Sequence, residues 1–278
     1  MRTAPLLLDL RNDPPQLDDP ISQLCTQSQV EAPVYQMWLS RIKEQQRRHR
    51  KQWEFVYILQ VLSTRQMLQP GRRGLGFGVG NEPLPALMAS YGVSVHATDL
   101  ELEEAQRQGW VQTDQHLATL DQLNSRQICD EESFRRLVSF EPIDMNAIPE
   151  RLSGFDFTWS SCALEHLGSI EHGIRFIEAS LRTLKPGGVA VHTTEFNCSS
   201  DTETLAHGGT VIYRRRDIVG FLDRMTREGY ITALTLASPG DPLDKHADVP
   251  PYSSHDHLRL KLDRYISTSI GILIQKPK

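Results

Sequence analysis

Cysteine is scarce in this chain: Cys25, Cys129, Cys162 and Cys198 are its four, and no two of them make a C-x-x-C pair. That excludes a disulfide framework and a zinc knuckle, and fits free thiols in a reducing compartment. There is no run of about 18 apolar residues able to span a bilayer. The short apolar run Leu6-Leu7-Leu8 is followed by Asp9, Asp13 and two prolines, too short and too acidic for a signal peptide. Charge of one sign is not in excess either. A formal net charge of −5 sets up no global field toward nucleic acid or an anionic membrane. Two nucleotide signatures are missing as well. Counting G-x-G-x-x-G from Gly76 or Gly78 puts Asn81 or Pro83 where the third glycine belongs, and no G-K-[ST] occurs. The first gap weakens a dinucleotide reading and the second excludes a P-loop. The expectation is a soluble, cytoplasmic protein.

Glycine, by contrast, is concentrated. Gly74, Gly76, Gly78 and Gly80 alternate at the end of an apolar stretch. Asp99 ends the next apolar run, Val93-Ser-Val-His-Ala-Thr-Asp, roughly 20 residues further on. A glycine turn after a first strand lets the backbone approach a bulky ligand. A carboxylate at the tip of the next strand accepts hydrogen bonds from ribose hydroxyls. Together they point to a nucleoside-containing ligand at the carboxyl ends of parallel strands.

The rest of the chain divides into three parts. Residues 1–30 are rich in Pro, Asp and Gln and read as a flexible arm. Residues 31–70 read as a helical extension: Tyr35, Trp38, Leu39 and Ile42 share a face, a basic run from Arg47 to Lys51 follows, and Pro70-Gly71 stops the pattern. Residues 71–278 form one domain in which strands alternate with helices. Strands are predicted near 74–80, 93–99, 137–140, 155–160, 189–194, 231–237 and 266–274, with weak helical signals at Glu103–Arg107 and Gln115–Leu123. Ile170, Ile174, Ile177, Leu181 and Leu184 mark an amphipathic helix ended by Lys185-Pro-Gly-Gly188. The fold class is therefore α/β, a doubly wound, mostly parallel seven-stranded sheet. The last two strands have no helix between them, so the last one inserts antiparallel.

The order and spacing of these features resemble the class I S-adenosylmethionine-dependent methyltransferases over roughly residues 71–275. The matching stretches are GLGFGVGNEP, VHATDL, EPIDMNAIP, FDFTWSSCALEHL, LKPGG and ISTSIGILIQK. The resemblance implies S-adenosyl-L-methionine as cofactor. It implies that Gly76, Gly78 and Gly80 line the methionine and ribose part, Asp99 takes the ribose hydroxyls and Leu100 covers one face of adenine. Asp144 would meet the adenine amino group, Met145 the ring, and Ser161 would lie under the methionine moiety. The acid usual in the family two residues before the second glycine is replaced by Gly76, and Glu82 or the N-terminal helix compensates for it.

Candidate chemistry gathers where strands end. His166 or Glu195 is the candidate general base for a hydroxyl acceptor, with His192 assisting. The competing reading makes His166 a helix-opening residue and Glu195 a surface carboxylate. His192, Glu195, His255, Asp256 and His257 match no zinc signature, so no metal is expected. Trp53 closes the pocket if the N-terminal helix is a lid, with Arg50 or Lys51 meeting the cofactor carboxylate; otherwise that helix simply presents a solvated basic face. Arg214-Arg215-Arg216 either holds an anionic substrate group or serves solubility. Cys162 and Cys198 read as packing or loop residues. The expected activity is O-methylation of a sugar or polysaccharide precursor, with no nucleic acid and no membrane insertion. The alternatives are N- or O-methylation of a peptide or secondary metabolite, and a non-catalytic cofactor-binding scaffold.

Overall fold

Seven apolar runs become seven strands of one sheet, and three further strands join them. The computed structural model describes residues 7–101, 119–253 and 256–278. Its main sheet contains β1 (Asp9–Arg11), β2 (Ser22–Leu24), β3 (Arg73–Phe77), β4 (Ser94–Asp99), β5 (Val138–Pro142), β6 (Phe155–Ser161), β7 (Leu184–Asn197), β8 (Ala233–Thr235), β9 (Arg259–Leu262) and β10 (Tyr265–Gln275). The order across the sheet is β1-β8-β2-β10-β7-β6-β3-β4-β5, with β9 paired to β10. β3, β4, β5, β6 and β7 run parallel, and β10 is antiparallel to β7 along a nine-residue register from Ser267↔Asn197 to Gln275↔Val189. The doubly wound sheet with an antiparallel last strand is as expected.

Helices cover both faces: α1 (Pro33–Arg41), α2 (Arg50–Thr64) and α3 (Leu84–Ser90), then α4 (Glu131–Leu137), α5 (Ile170–Arg182) and α6 (Arg215–Arg227). Side chains alternate across a strand, so each strand feeds two cores. Val189 and Val191 join Trp53, Tyr57 and Trp159 on the α2 side, whereas Ala190 joins Phe176, Ile177 and Phe221 on the α5–α6 side.

One expectation about the first 70 residues is overturned. Residues 1–30 are not a loose arm where the structure describes them. β1 pairs in parallel with β8 (Leu10↔Leu234), and β2 inserts between β8 and β10 (Ser22↔Leu234, Leu24↔Ile270). Strands of three residues are too short to show a period in sequence. The helix expected as a lid within 31–70 is built into the core along much of its length. In α2, Trp53, Val56, Tyr57, Ile58, Leu59, Val61 and Leu62 are all 0% exposed. A helix buried on every side belongs in a core, and here it lies on β6, β7 and β10. The Tyr57 ring sits where a Cβ on Gly271 would be, 2.1 Å from its nearest atom. The predicted helix at Glu103–Arg107 lies outside the described residues; within Gln115–Leu123 the described part enters a 3-10 turn, Leu120–Asn124. Among the described residues no helix is long and apolar enough to cross a membrane.

Candidate functional site

A cavity of about 350 Å³ opens at the carboxyl ends of β3, β4 and β6, where a sheet of this topology places its ligands. One wall is the glycine turn after β3. Gly78 and Gly80 have φ of 58° and 47°, left-handed values that side chains with a Cβ adopt at a cost. The turn is tied to the next strand by Asp99, whose Oδ2 accepts from Gly80 N (3.2 Å) and Oδ1 from Leu100 N (2.8 Å). Asp144, Met145 and Asn146 follow β5 on the next wall, with Asp144 Oδ1 accepting from Asn146 N at 2.8 Å. Ser161, Cys162, Ala163, His166 and Leu167 form the floor and rim, and α2 contributes Lys51 and Phe55.

Nine of the thirteen site residues anticipated above therefore line one cavity: Gly78, Gly80, Glu82, Asp99, Leu100, Asp144, Met145, Ser161 and His166. Gly76 does not. It lies within β3, and a Cβ there would come within 2.4 Å of the Trp159 ring, so this glycine makes room for an aromatic side chain, not for a ligand. Trp53 is buried between Gln29, to which its Nε1 donates, and the stacked Tyr57 ring at 4.9 Å; it does not reach the cavity.

His192 points to the other face of the sheet. Its Nδ1 meets Ser160 Oγ (2.8 Å), its Nε2 meets Ser180 Oγ (3.1 Å), and Phe176 stands edge-on at 5.3 Å. Burial lowers its pKa to about 3, so it is a neutral core histidine. Glu195 is on the α2 face but lies beneath the cavity, 2% exposed. It is paired with Arg50 and accepts from Ser267 Oγ at 2.5 Å. Burial pushes its carboxyl above the ordinary value, although Arg50 pulls the other way. A carboxylate so committed is not a base for an incoming substrate.

Arg50 organises this whole layer. Its Nη1 lies 3.5 Å from Glu54 Oε1, 3.6 Å from Cys162 Sγ and 3.3 Å from Ser269 Oγ. Glu54, fully buried, also accepts from Ser269 Oγ (2.7 Å), Thr193 Oγ1 (2.8 Å) and Ser161 Oγ (3.3 Å). Burial acts to raise the Glu54 pKa, but Lys51, Arg50 and these hydroxyl donors hold it below the usual value. Cys162 Sγ, Glu165 and Glu195 approach one another within 4.8 Å, yet the Arg50 guanidinium already supplies the cation among them. The other metal grouping weighed above is not assembled, because His192 faces away; His255 lies outside the described residues. Arg214 is locked to Asp217 (2.7 Å) and Arg216 Nη2 donates to Thr202 O (2.8 Å), so two of that basic triplet serve local structure.

Of the ionisable groups lining the cavity, Lys51 and Glu82 are the two set apart by burial. Among the described residues, Lys51 has no ion-pair or hydrogen-bond partner for its ammonium. Burial opposes its charge, but Cys162, Glu54 and Glu165 raise its pKa overall. Glu82 accepts from Trp159 Nε1 at 2.6 Å. Burial drives its pKa from 4.5 to about 8, with Asp99 and Glu54 adding to the rise and Trp159 and Lys51 opposing it. A carboxyl whose folded pKa is raised favours the folded state fully below its unfolded value, and that contribution is lost as pH rises from about 4.5 through about 8. Thermal melts across pH 5–9 are thus expected to show wild-type stability falling with pH and Glu82→Gln showing a flatter profile; parallel profiles would place the titration elsewhere.

Phe55, Asn81, Arg126, Ile143 and Asn146 also line the cavity and were not anticipated. Phe55 was within reach of sequence reasoning, since it lies four residues after Lys51 on the same helical face. Arg126 had no local signal: it is set by bonds to Ile42 O (2.9 Å) and Glu44 Oε1 (2.7 Å), more than 80 residues back in the chain.

No protein-family model and no curated protein matches the chain. Solved structures do. An S-adenosylmethionine-dependent methyltransferase from Clostridium acetobutylicum aligns at 14% identity over 82% of this chain and 92% of its own, TM-score 0.43. The glycopeptide N-methyltransferase MtfA, complexed with sinefungin, aligns at 10% identity over 83% and 94%, TM-score 0.47. Phosphoethanolamine N-methyltransferase 2 of Haemonchus contortus, in complex with S-adenosyl-L-methionine, aligns at 20% identity over 62% and 36%, TM-score 0.41. The chain spans between 36% and 57% of the length of three of the matched structures. The likeness is loose, and the chemistry proposed below rests on the cavity.

Proposed function

We propose that this protein is an S-adenosylmethionine-dependent methyltransferase acting on an oxygen nucleophile. The observation that carries the reading is the convergence on one cavity of the glycine turn, Asp99 from β4 and Asp144 after β5. The donor set suits the ligand. Asp99 and Asp144 offer acceptors to ribose hydroxyls and an adenine amino group, and Met145 and Leu100 offer apolar contact to the base. Lys51, an ammonium without a partner among the described residues, suits a carboxylate, and Glu82, held by Trp159, suits an ammonium group. That pair fits the amino-acid end of the ligand and answers for the acid displaced by Gly76.

The cofactor supplies a methyl group on a sulfonium, already activated toward a nucleophile. The protein's contribution is then chiefly to hold the reactants in line, worth up to about 7–11 kcal/mol. His166 is the candidate base. Its Nδ1 lies 2.7 Å from Gly209 O; a carbonyl only accepts, so Nδ1 carries the proton and Nε2 the lone pair. A base so placed typically adds about 10²–10⁴-fold for a hydroxyl acceptor. For the acceptor we infer a sugar or polysaccharide precursor, supported by the resemblance of GLGFGVGNEPLP and WSSCALEHLGS to methyltransferases of bacterial glycan pathways.

Calorimetry tests the cofactor assignment: S-adenosylhomocysteine should bind in the micromolar range and NAD not at all, with Lys51→Ala weakening the former. Saturable NAD binding would overturn the reading. Incubation with labelled cofactor and a panel of nucleotide sugars and peptides then tests the acceptor; label appearing only on peptides would favour the peptide alternative.

A further inference from the structure

A second cavity, about 390 Å³, lies at the opposite ends of the same strands. Its lining includes Arg73, Ser94, Val138 and Phe155, the first residues of β3, β4, β5 and β6 respectively. It is therefore a separate place from the cavity at the carboxyl ends. We propose that this cavity is a binding site for a small polyvalent oxyanion, a phosphate- or polycarboxylate-bearing metabolite, held by Arg73 and Arg136.

Four guanidinium groups line it, those of Arg73, Arg135, Arg136 and Arg151, against the single carboxylate of Glu141. That imbalance stands out in a chain of net charge −5, because like charges brought together from separate elements repel unless something balances them. Glu141 is already committed to Arg151 and to His96 Nε2 at 3.1 Å. Arg135 is neutralised by Glu131 (2.5 Å) and Asp121 (3.0 Å). Two cations are left over. Among the described residues, Arg136 has neither ion pair nor hydrogen bond for its side chain. Arg73 lies over the Phe155 ring at 4.8 Å and gives Nη1 to Gly154 O at 3.1 Å, which holds its planar fork in place with the other nitrogens in hand. A guanidinium fixed flat in this way matches two oxygens of a phosphate or carboxylate at once. The Ser94 hydroxyl on the same lining offers a further donor.

The test is calorimetry on the whole chain with pyrophosphate and, separately, citrate. One-to-one saturable binding of either probe is expected, and the tighter of the two names the source of the oxyanion. Arg73→Ala combined with Arg136→Ala should weaken it by about tenfold or more, while a melting curve still shows a single cooperative transition, because both side chains are exposed and only the Arg73 contacts with Phe155 and Gly154 are lost. Lys51→Ala, altered only in the first cavity, should bind the probe as wild type does. Absence of saturable binding, equal binding by the double variant, or loss of binding in Lys51→Ala would each overturn the proposal.

Discussion

Arg50→Met is expected to destabilise the protein by about 3–5 kcal/mol, the range for removing one partner of a buried ionic group. Methionine keeps an unbranched stem in place of the arginine stem, so what is lost is chiefly the guanidinium and its charge. The guanidinium lies within ion-pair distance of both Glu54 and Glu195, which are 0% and 2% exposed. Without it, Lys51 alone balances Glu54, and Glu195 must take up a proton to stay buried. At about 2–4 °C per kcal/mol for a domain of this size, the melting temperature should fall by roughly 6–20 °C. Adding Glu195→Gln should restore part of the loss, since the amide keeps the hydrogen bond with Ser267 without a charge to neutralise. A single variant that melts within a degree or two of wild type would mean that the buried layer is not held by charge.

Asp99→Ala should weaken S-adenosylhomocysteine binding by about 2–3 kcal/mol, or roughly 30- to 150-fold. Two effects add. The carboxylate is the proposed acceptor for ribose hydroxyls, and its oxygens also receive the N–H groups of Gly80 and Leu100, so it sets the shape of the glycine turn. Asp99→Asn keeps one acceptor oxygen and should fall between wild type and alanine. Calorimetry gives the affinities and a melting curve confirms that each variant is folded. An affinity unchanged in Asp99→Ala would place the nucleoside away from β4 and remove the basis of the proposed function.

The same residues show what was legible in the sequence. Apolar runs located the seven main strands, because a buried strand in a parallel sheet is a nearly continuous apolar stretch. The glycine turn and the carboxylate at the tip of β4 were legible for a similar reason: each is a local response to a backbone that must turn sharply beside a ligand. β1 and β2 were not, since three residues carry no period, and their partners in β8 and β10 lie more than 200 residues away. Nor was the fate of α2. A basic run ahead of an aromatic-rich helix reads equally well as a lid or as an amphipathic helix with a solvated basic face, and its burial depends on what covers Tyr57, Trp53 and Arg50.

From its residues alone, then, this chain determined which segments are strands, where they turn, and which acids stand at strand tips, because these follow from interactions over a few neighbouring positions. Tertiary structure alone decided which ionisable groups meet the cavity. Moving from His192 to Thr193 along β7 carries a side chain from one face of the sheet to the other, and whether Glu195 faces substrate or Arg50 depends on a helix more than 130 residues earlier. Direction and distance between remote segments are set by packing the two faces of the sheet, and no local pattern encodes them.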